Sequence, residues 1–350
     1  MLGLHAAAAA VAALGAAATT YAPNDAALYY NPYVWEVTAT AASTINSAAH
    51  VRFLASGTFL SFNFDTSNMV SPTSEVYWRV DNGPATLSLV LPTVNVTIPA
   101  NNTRGDVPYH SIELFVKSTT ETANRWSASG RSTRVILTGI TTDGLLAPWI
   151  PSSANILVYG DSITEGVLTM GGSQQFDTDH NDASVVYSYA LAGLLGTEIG
   201  VVGFGATGLS RGGSGGVPAL GVSWNQLWDG VPRSFSPRPD LILFNEGTND
   251  GSTNITAQLG VVVEGLLAAC PGTPIVLMLP FNGAEAASLQ AAVANANNPL
   301  VTYLDTTGFY NMSYGGGLHP TGPNDVARLA PQIANKLRPI LAKSITARGE

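Results

Sequence analysis

Between residues 30 and 145 the chain alternates apolar and polar positions in short bursts. The segments VWEVTAT (34–40), HVRFLA (50–55), FLSFNF (59–64), EVYWRV (75–80), ATLSLVL (85–91), HSIELFVKST (110–119) and RSTRVILTGI (131–140) are rich in β-branched and aromatic residues. Turn-forming SGT, DNGP, PANN and SASG separate them. A period of two with frequent turns is the signature of short antiparallel strands that bury one face. So many of them predict a β-sandwich or jelly roll, placed at residues 25–147.

The pattern changes after LLAPWIPSSAN (145–155). Uninterrupted apolar runs now alternate with helical stretches. ILVYG (156–160), IGVVGFG (199–205), DLILFNEG (240–247), TPIVLMLPF (273–281) and LVTYLD (300–305) read as buried strands. Helices are expected over 186–196, 254–269, 283–296 and 322–342. Apolar strands in β-α-β order predict a parallel sheet with helices on both faces, a three-layer α/β domain over 152–345.

Composition adds compartment and partners. The chain has 350 residues, is 45% hydrophobic and only 11% charged, and carries a net charge of −9. An acidic, lysine-poor surface repels phosphate backbones, so nucleic acid is an unsuitable partner, whereas a neutral polysaccharide is not repelled. AAAAAVAALGAAA (6–18) is too short to span a bilayer and fits a signal-peptide core cleaved near Ala18. No later run is long and apolar enough to cross a membrane. Four N-x-S/T sequons, at Asn95, Asn101, Asn254 and Asn311, agree with a eukaryotic secretory route. The single cysteine, Cys270, excludes an intramolecular disulfide and reads as a buried apolar residue. The expectation is a secreted, extracellular, glycosylated monomer with residues 1–18 removed.

In an open α/β sheet, ligands bind beyond the carboxyl ends of the strands. Those ends carry Gly160-Asp161-Ser162-Ile163-Thr164-Glu165-Gly166, then Gly203-Phe204-Gly205-Ala206-Thr207-Gly208, then Gly247-Thr248-Asn249-Asp250, and finally Gly317-Leu318-His319-Pro320. A hydroxyl, backbone donors, an amide and an imidazole are the parts that ester cleavage needs. The imidazole takes the serine proton, and fixed donors hold the oxyanion of the tetrahedral intermediate.

Those four blocks, in that order, resemble the conserved blocks of SGNH (GDSL-type) hydrolases over 155–342. The resemblance implies Ser162 as nucleophile and first oxyanion donor, the glycine block as second donor, Asn249 as third and His319 as general base, without metal or cofactor. The second donor is placed at Gly205, with Ala206 or Gly208 as alternatives in the same loop. The preceding sandwich, through HVRFLASGTFLSFNFDT and YWRVDNG, resembles that of carbohydrate esterase family two. It implies removal of acetyl groups from plant cell-wall polysaccharide of the xylan or mannan type. A feruloyl or lipase-like esterase and a catalytically inactive glycan-binding protein are the rival readings.

One position departs from the family. Most SGNH hydrolases have an aspartate three residues before the histidine; here it is Gly316. A backbone carbonyl of the 314–317 loop can hold the imidazole and leave a Ser–His dyad, another carboxylate such as Asp250 or Asp305 can replace it, or activity is lost; the dyad is favoured. Each residue also has a plainer reading. Ser162 suits a helix N-cap, and Asn249 can cap the following helix. Asp161 and Asp250 can shape loops by accepting backbone N–H groups. Trp224 and Trp228 suit either sugar stacking or a buried helix face. Asp177, Asp179, His180 and Asp182 lack the spacing of a hard-cation loop. His5, His50, His110 and His180 are read as structural.

Overall fold

The computed structural model describes residues 18–99, 109–129, 133–172, 178–313 and 317–349. Residues 1–17, and so nearly all of the leader, lie outside them, as do Asn101, Asp177 and Gly316.

Two antiparallel sheets form the first half. One has the order Glu36–Val37, Ala42–Thr44, Val135–Thr142, Phe59–Phe64, Thr93–Thr97, with Thr19–Tyr21 also paired to Val135–Thr142. The other has the order Leu146–Ala147, His50–Ala55, His110–Ser118, Glu75–Val80, Thr86–Leu89, with Tyr29–Tyr30 on His50–Ala55. Strict alternation turns Val51, Phe53 and Ala55 from one sheet and Leu60, Phe62 and Phe64 from the other into a shared core, where Phe53 and Phe62 meet edge to face at 6.2 Å. VWEVTAT forms only the two-residue strand Glu36–Val37, because the chain turns at Thr38, whose hydroxyl accepts the amides of Thr40 and Ala41.

The second half is a five-stranded parallel sheet. Its order is Glu198–Gly203, Asn155–Gly160, Leu241–Asn245, Ile275–Met278, Val301–Leu304, which is 2-1-3-4-5 in chain order. All six residues of Asn155–Gly160 are buried. Ile156 and Val158 face the helices Tyr187–Leu195 and Gly322–Gly349, while Leu157 and Tyr159 face the side that holds Thr256–Ala269. The cluster on that second side runs without a break into the sandwich core. The final helix extends beyond the expected 342 to Gly349, with Pro331 and Pro339 inside it. The point where the strand order reverses lies at Asn155–Gly160, the place at whose carboxyl edge open α/β sheets bind their ligands. No described helix is long and apolar enough to cross a membrane.

Candidate active site

The strand Asn155–Gly160 runs into a single-turn helix, Ser162–Glu165. Asp161 is its N-cap, accepting the Ile163 amide at 2.9 Å. The capping task therefore falls on Asp161, and Ser162 is the first helical residue with its hydroxyl left for other work. Burial pushes the Asp161 carboxyl up to about 6, against hydrogen bonds that pull it down. The turn sits hard against the next strand: a Cβ on Gly203 would come within 2.7 Å of the Glu165 nitrogen, so a glycine is needed there.

Ser162 is 8% exposed, and its Oγ lies 3.0 Å from His319 Nε2. No other described residue hydrogen-bonds the His319 ring. Burial lowers the pKa of that imidazole, which favours the neutral form a general base requires. The turn carrying His319 is held by Tyr310, whose hydroxyl donates to the carbonyl of Gly317 at 3.0 Å or of His319 at 3.3 Å. Asp250 is spent elsewhere: its carboxylate accepts the amides of Leu209 and Ser210 and the Ser210 hydroxyl. Asp305 accepts the Thr307 amide on an exposed loop. Neither carboxylate is bonded to His319, and Gly316, the position of the usual aspartate, lies outside the described residues.

The neighbouring loops converge on the serine. Register pairs Gly160 with Gly203 on one side and with Asn245 on the other, so residues 161–162, 204–206 and 246–249 leave the sheet together. Asn249 Nδ2 donates to the Thr207 carbonyl at 2.9 Å and lies 3.4 Å from Asp161 Oδ2, which ties it to both flanking loops. It does not cap the following helix, which begins only at Thr256 and has its first amide accepted by Asn254.

The expectation for Gly205 is corrected. Its backbone N–H donates to Glu165 Oε2 at 2.7 Å, so it is not free for an oxyanion. The Gly208 N–H is likewise occupied, by the Arg211 carbonyl. Ala206 lies between them in the left-handed region, at φ 60°, and its N–H bonds to no described residue; nor does that of Ser162. A non-glycine residue in that conformation is strained by roughly 1–2 kcal/mol and commonly marks a functional loop.

Trp224 and Trp228 are also corrected. Trp228 is 3% exposed and lies under the Arg134 guanidinium at 4.4 Å. Trp224 packs on Phe235 and against Gly265. Trp224 follows the short helix Leu220–Ser223 and Trp228 ends the strand Gln226–Trp228, so their spacing of four is not helical, and both rings are engaged by protein contacts. His50 Nδ1 is 3.1 Å from the Ala48 carbonyl, His110 Nδ1 is 2.6 Å from Asp81, and the His180 ring lies against Gly172. Asp182 caps a 3-10 turn and accepts the Tyr77 hydroxyl at 2.6 Å. Among the described residues no group of three His, Cys, Asp or Glu side chains could hold a metal. Cys270 is buried, and burial pushes its thiol up to about 11. A cavity of about 470 Å³ opens between loop 168–172 and Thr321–Pro323, the latter two residues past His319.

No family model matches the sequence, and no curated protein does. Solved structures do. A family two carbohydrate esterase from Cellvibrio japonicus superposes with a TM-score of 0.73 at 21% identity, covering 93% of this chain and 98% of its own. The chain has the fold of the family two carbohydrate esterases. A second esterase with this fold, from Clostridium thermocellum in complex with cellohexaose, gives 0.71 at 19% identity over 90% and 99% of the two chains. An acetyl xylan esterase, Est2A from Butyrivibrio proteoclasticus, gives 0.72 at 15% over 93% and 99%. The similarity runs through both the sandwich and the parallel sheet, so the family two fold here includes the two units together.

Sequence reasoning missed two residues around this site. Arg125 and Glu121, from the loop between His110–Ser118 and Val135–Thr142, reach across to Glu165 and Asn181. Isolated charges in a stretch such as TTETANRWSAS carry no pattern that marks them as buried.

Proposed function

We propose that the chain is a serine esterase that removes acetyl groups from a neutral plant polysaccharide of the xylan or mannan type. The observation that carries the reading is the 3.0 Å contact between Ser162 Oγ and His319 Nε2 at the carboxyl edge of the sheet. His319 takes the Ser162 proton as Oγ attacks the acetyl carbonyl. The oxyanion is held by the N–H groups of Ser162 and Ala206 and by the Asn249 amide. The protonated His319 then gives its proton to the departing sugar oxygen, and water hydrolyses the acyl-enzyme by the reverse sequence.

The family two fold, found in esterases solved with cellohexaose and in an acetyl xylan esterase, supports a glycan ester as substrate. The acidic charge balance agrees with a neutral polymer. The apolar leader and the exposed sequons Asn95, Asn254 and Asn311 support export and glycosylation. The test is acetate release from acetylated xylan, mannan and glucomannan beside feruloylated and long-acyl esters. Wild-type protein is expected to release acetate and Ser162→Ala to release none above background. Equal rates for the two proteins refute the reading.

A further inference from the structure

The Ser162 turn and the oxyanion loop are joined from behind by a buried ion pair that crosses from the sandwich. Arg125 leaves the loop that follows His110–Ser118, and its side chain has no exposure to solvent. Its Nη1 lies 2.6 Å from Glu165 Oε1, and its Nη2 lies 3.2 Å from Glu165 Oε2. Glu165 is three residues after the nucleophile, in the same helical turn. Its Oε2 accepts the Gly205 N–H at 2.7 Å, while the Gly205 carbonyl accepts the Ser214 N–H at 2.7 Å. The guanidinium lies over the Phe204 ring at 4.9 Å, and the Arg125 N–H donates to the Gly215 carbonyl at 2.9 Å. The segment leading into Ala206, Phe204 and Gly205, is therefore fixed to one arginine, either directly or through Glu165. There is no room for a substitute at Gly205: a Cβ there would meet a Glu121 carboxylate oxygen at 1.8 Å.

We infer that Arg125 and Glu165 are positioning residues for the esterase reaction, holding the Ala206 N–H at the place where the oxyanion forms; this rests on the reading of the site as a serine esterase. A planar guanidinium grips both carboxylate oxygens, which an ammonium cannot do. One oxygen of that fixed carboxylate then sets Gly205, and with it the left-handed turn at Ala206. The pair touches neither serine nor histidine. The sandwich thus supplies a part of the hydrolytic site itself, in addition to any polysaccharide surface.

The test uses the full chain. Arg125→Lys, Glu165→Gln and the double variant Arg125→Met/Glu165→Gln are compared with wild type on 4-nitrophenyl acetate. Active sites are counted by fluorophosphonate labelling carried to completion. Glu165→Gln removes the charge that helps keep Glu121 protonated, which lets Glu121 ionise beside Arg125 as a counter-charge. The double variant removes both charges together, which buried pairs tolerate better than the loss of one. The expected result is a kcat per labelled site about 10- to 100-fold below wild type, between a displaced and a lost oxyanion donor. KM is expected to stay within about twofold, as for a contact made only in the transition state. Arg125→Lys should keep more activity than the double variant, and the acid limb of the pH profile should not move. A purely architectural role would lower the labelled fraction or the melting temperature and leave kcat per site at the wild-type value; that result, in whichever variants fold, overturns the inference. If the wild-type protein itself neither labels nor hydrolyses, the esterase reading fails instead.

Discussion

His319 Nε2 and Ser162 Oγ lie 3.0 Å apart, although residues 157 positions apart in the chain supply them. The two act as one unit, so their losses should not add. Ser162→Ala and His319→Ala are each expected to lower kcat for acetate release by at least about 10³-fold, and the double variant by no more than the worse single one. Multiplying losses in a three-variant kinetic cycle would show that the residues work independently and would sink the dyad.

Burial lowers the His319 pKa, and the general base must be neutral. Activity should therefore rise with pH along a limb whose midpoint lies below the ordinary histidine value of about 6.5. The measurement is kcat/KM from pH 4 to 8 on an acetyl ester that does not itself ionise. A midpoint at or above the ordinary value would mean that an unrecognised anion stabilises the imidazolium, as a triad carboxylate does.

Asn249 is expected to act in the transition state. One N–H of its amide is held by the Thr207 carbonyl at 2.9 Å, whereas the contact to Asp161 Oδ2 is a long 3.4 Å, so the second N–H is the one that can turn to the oxyanion. Asn249→Ala should cost about 10²–10³-fold in kcat with little change in KM. An unaltered kcat, with only a lower melting temperature, would reduce Asn249 to a loop tie.

Tyr310 should have a smaller effect of the same kind. Its hydroxyl steadies the turn that carries His319. Tyr310→Phe is expected to lower kcat by about 3- to 10-fold, on the scale of one neutral hydrogen bond of about 1 kcal/mol. It should leave labelling by a fluorophosphonate complete but slower. Wild-type kcat in that variant would show that the turn is fixed by other contacts.

The parallel sheet and its four chemical loops were legible because buried strands and their glycine-bounded ends are local patterns. Ile156 to Gly160 and Leu241 to Asn245 announce themselves by unbroken apolar runs. The oxyanion donor was legible only to the nearest loop. The choice among Gly205, Ala206 and Gly208 depends on which N–H groups are already taken, and Glu165 and Arg211 take two of them through tertiary contacts. Trp224 and Trp228 failed as site residues because a spacing of four implies a shared face only within a helix, and they sit in different elements. Arg125 was invisible for the converse reason: a buried arginine is defined by its partner, here 40 residues along the chain.

Glu121 gives the last prediction, on stability. It is buried with Asn181 Nδ2 on one oxygen, and burial together with the Glu165 charge raises its pKa from 4.5 to about 8, against the pull of Arg125. The folded protein thus holds this proton where the unfolded chain releases it. The stabilising contribution is complete below the unfolded value of about 4.3. It is lost as pH rises from there to about 8, by at most about 1.4 kcal/mol per pH unit from one group. Asp161 and Glu246, also raised by burial, change stability in the same direction; Asp161 has finished by about 6. His319, with its lowered pKa, acts in the opposite sense. The melting temperature of wild-type protein should fall between pH 6 and 8, and Glu121→Gln, which keeps an uncharged acceptor facing Asn181, should flatten that fall. Parallel melting curves for the two proteins across that window would place the Glu121 proton elsewhere.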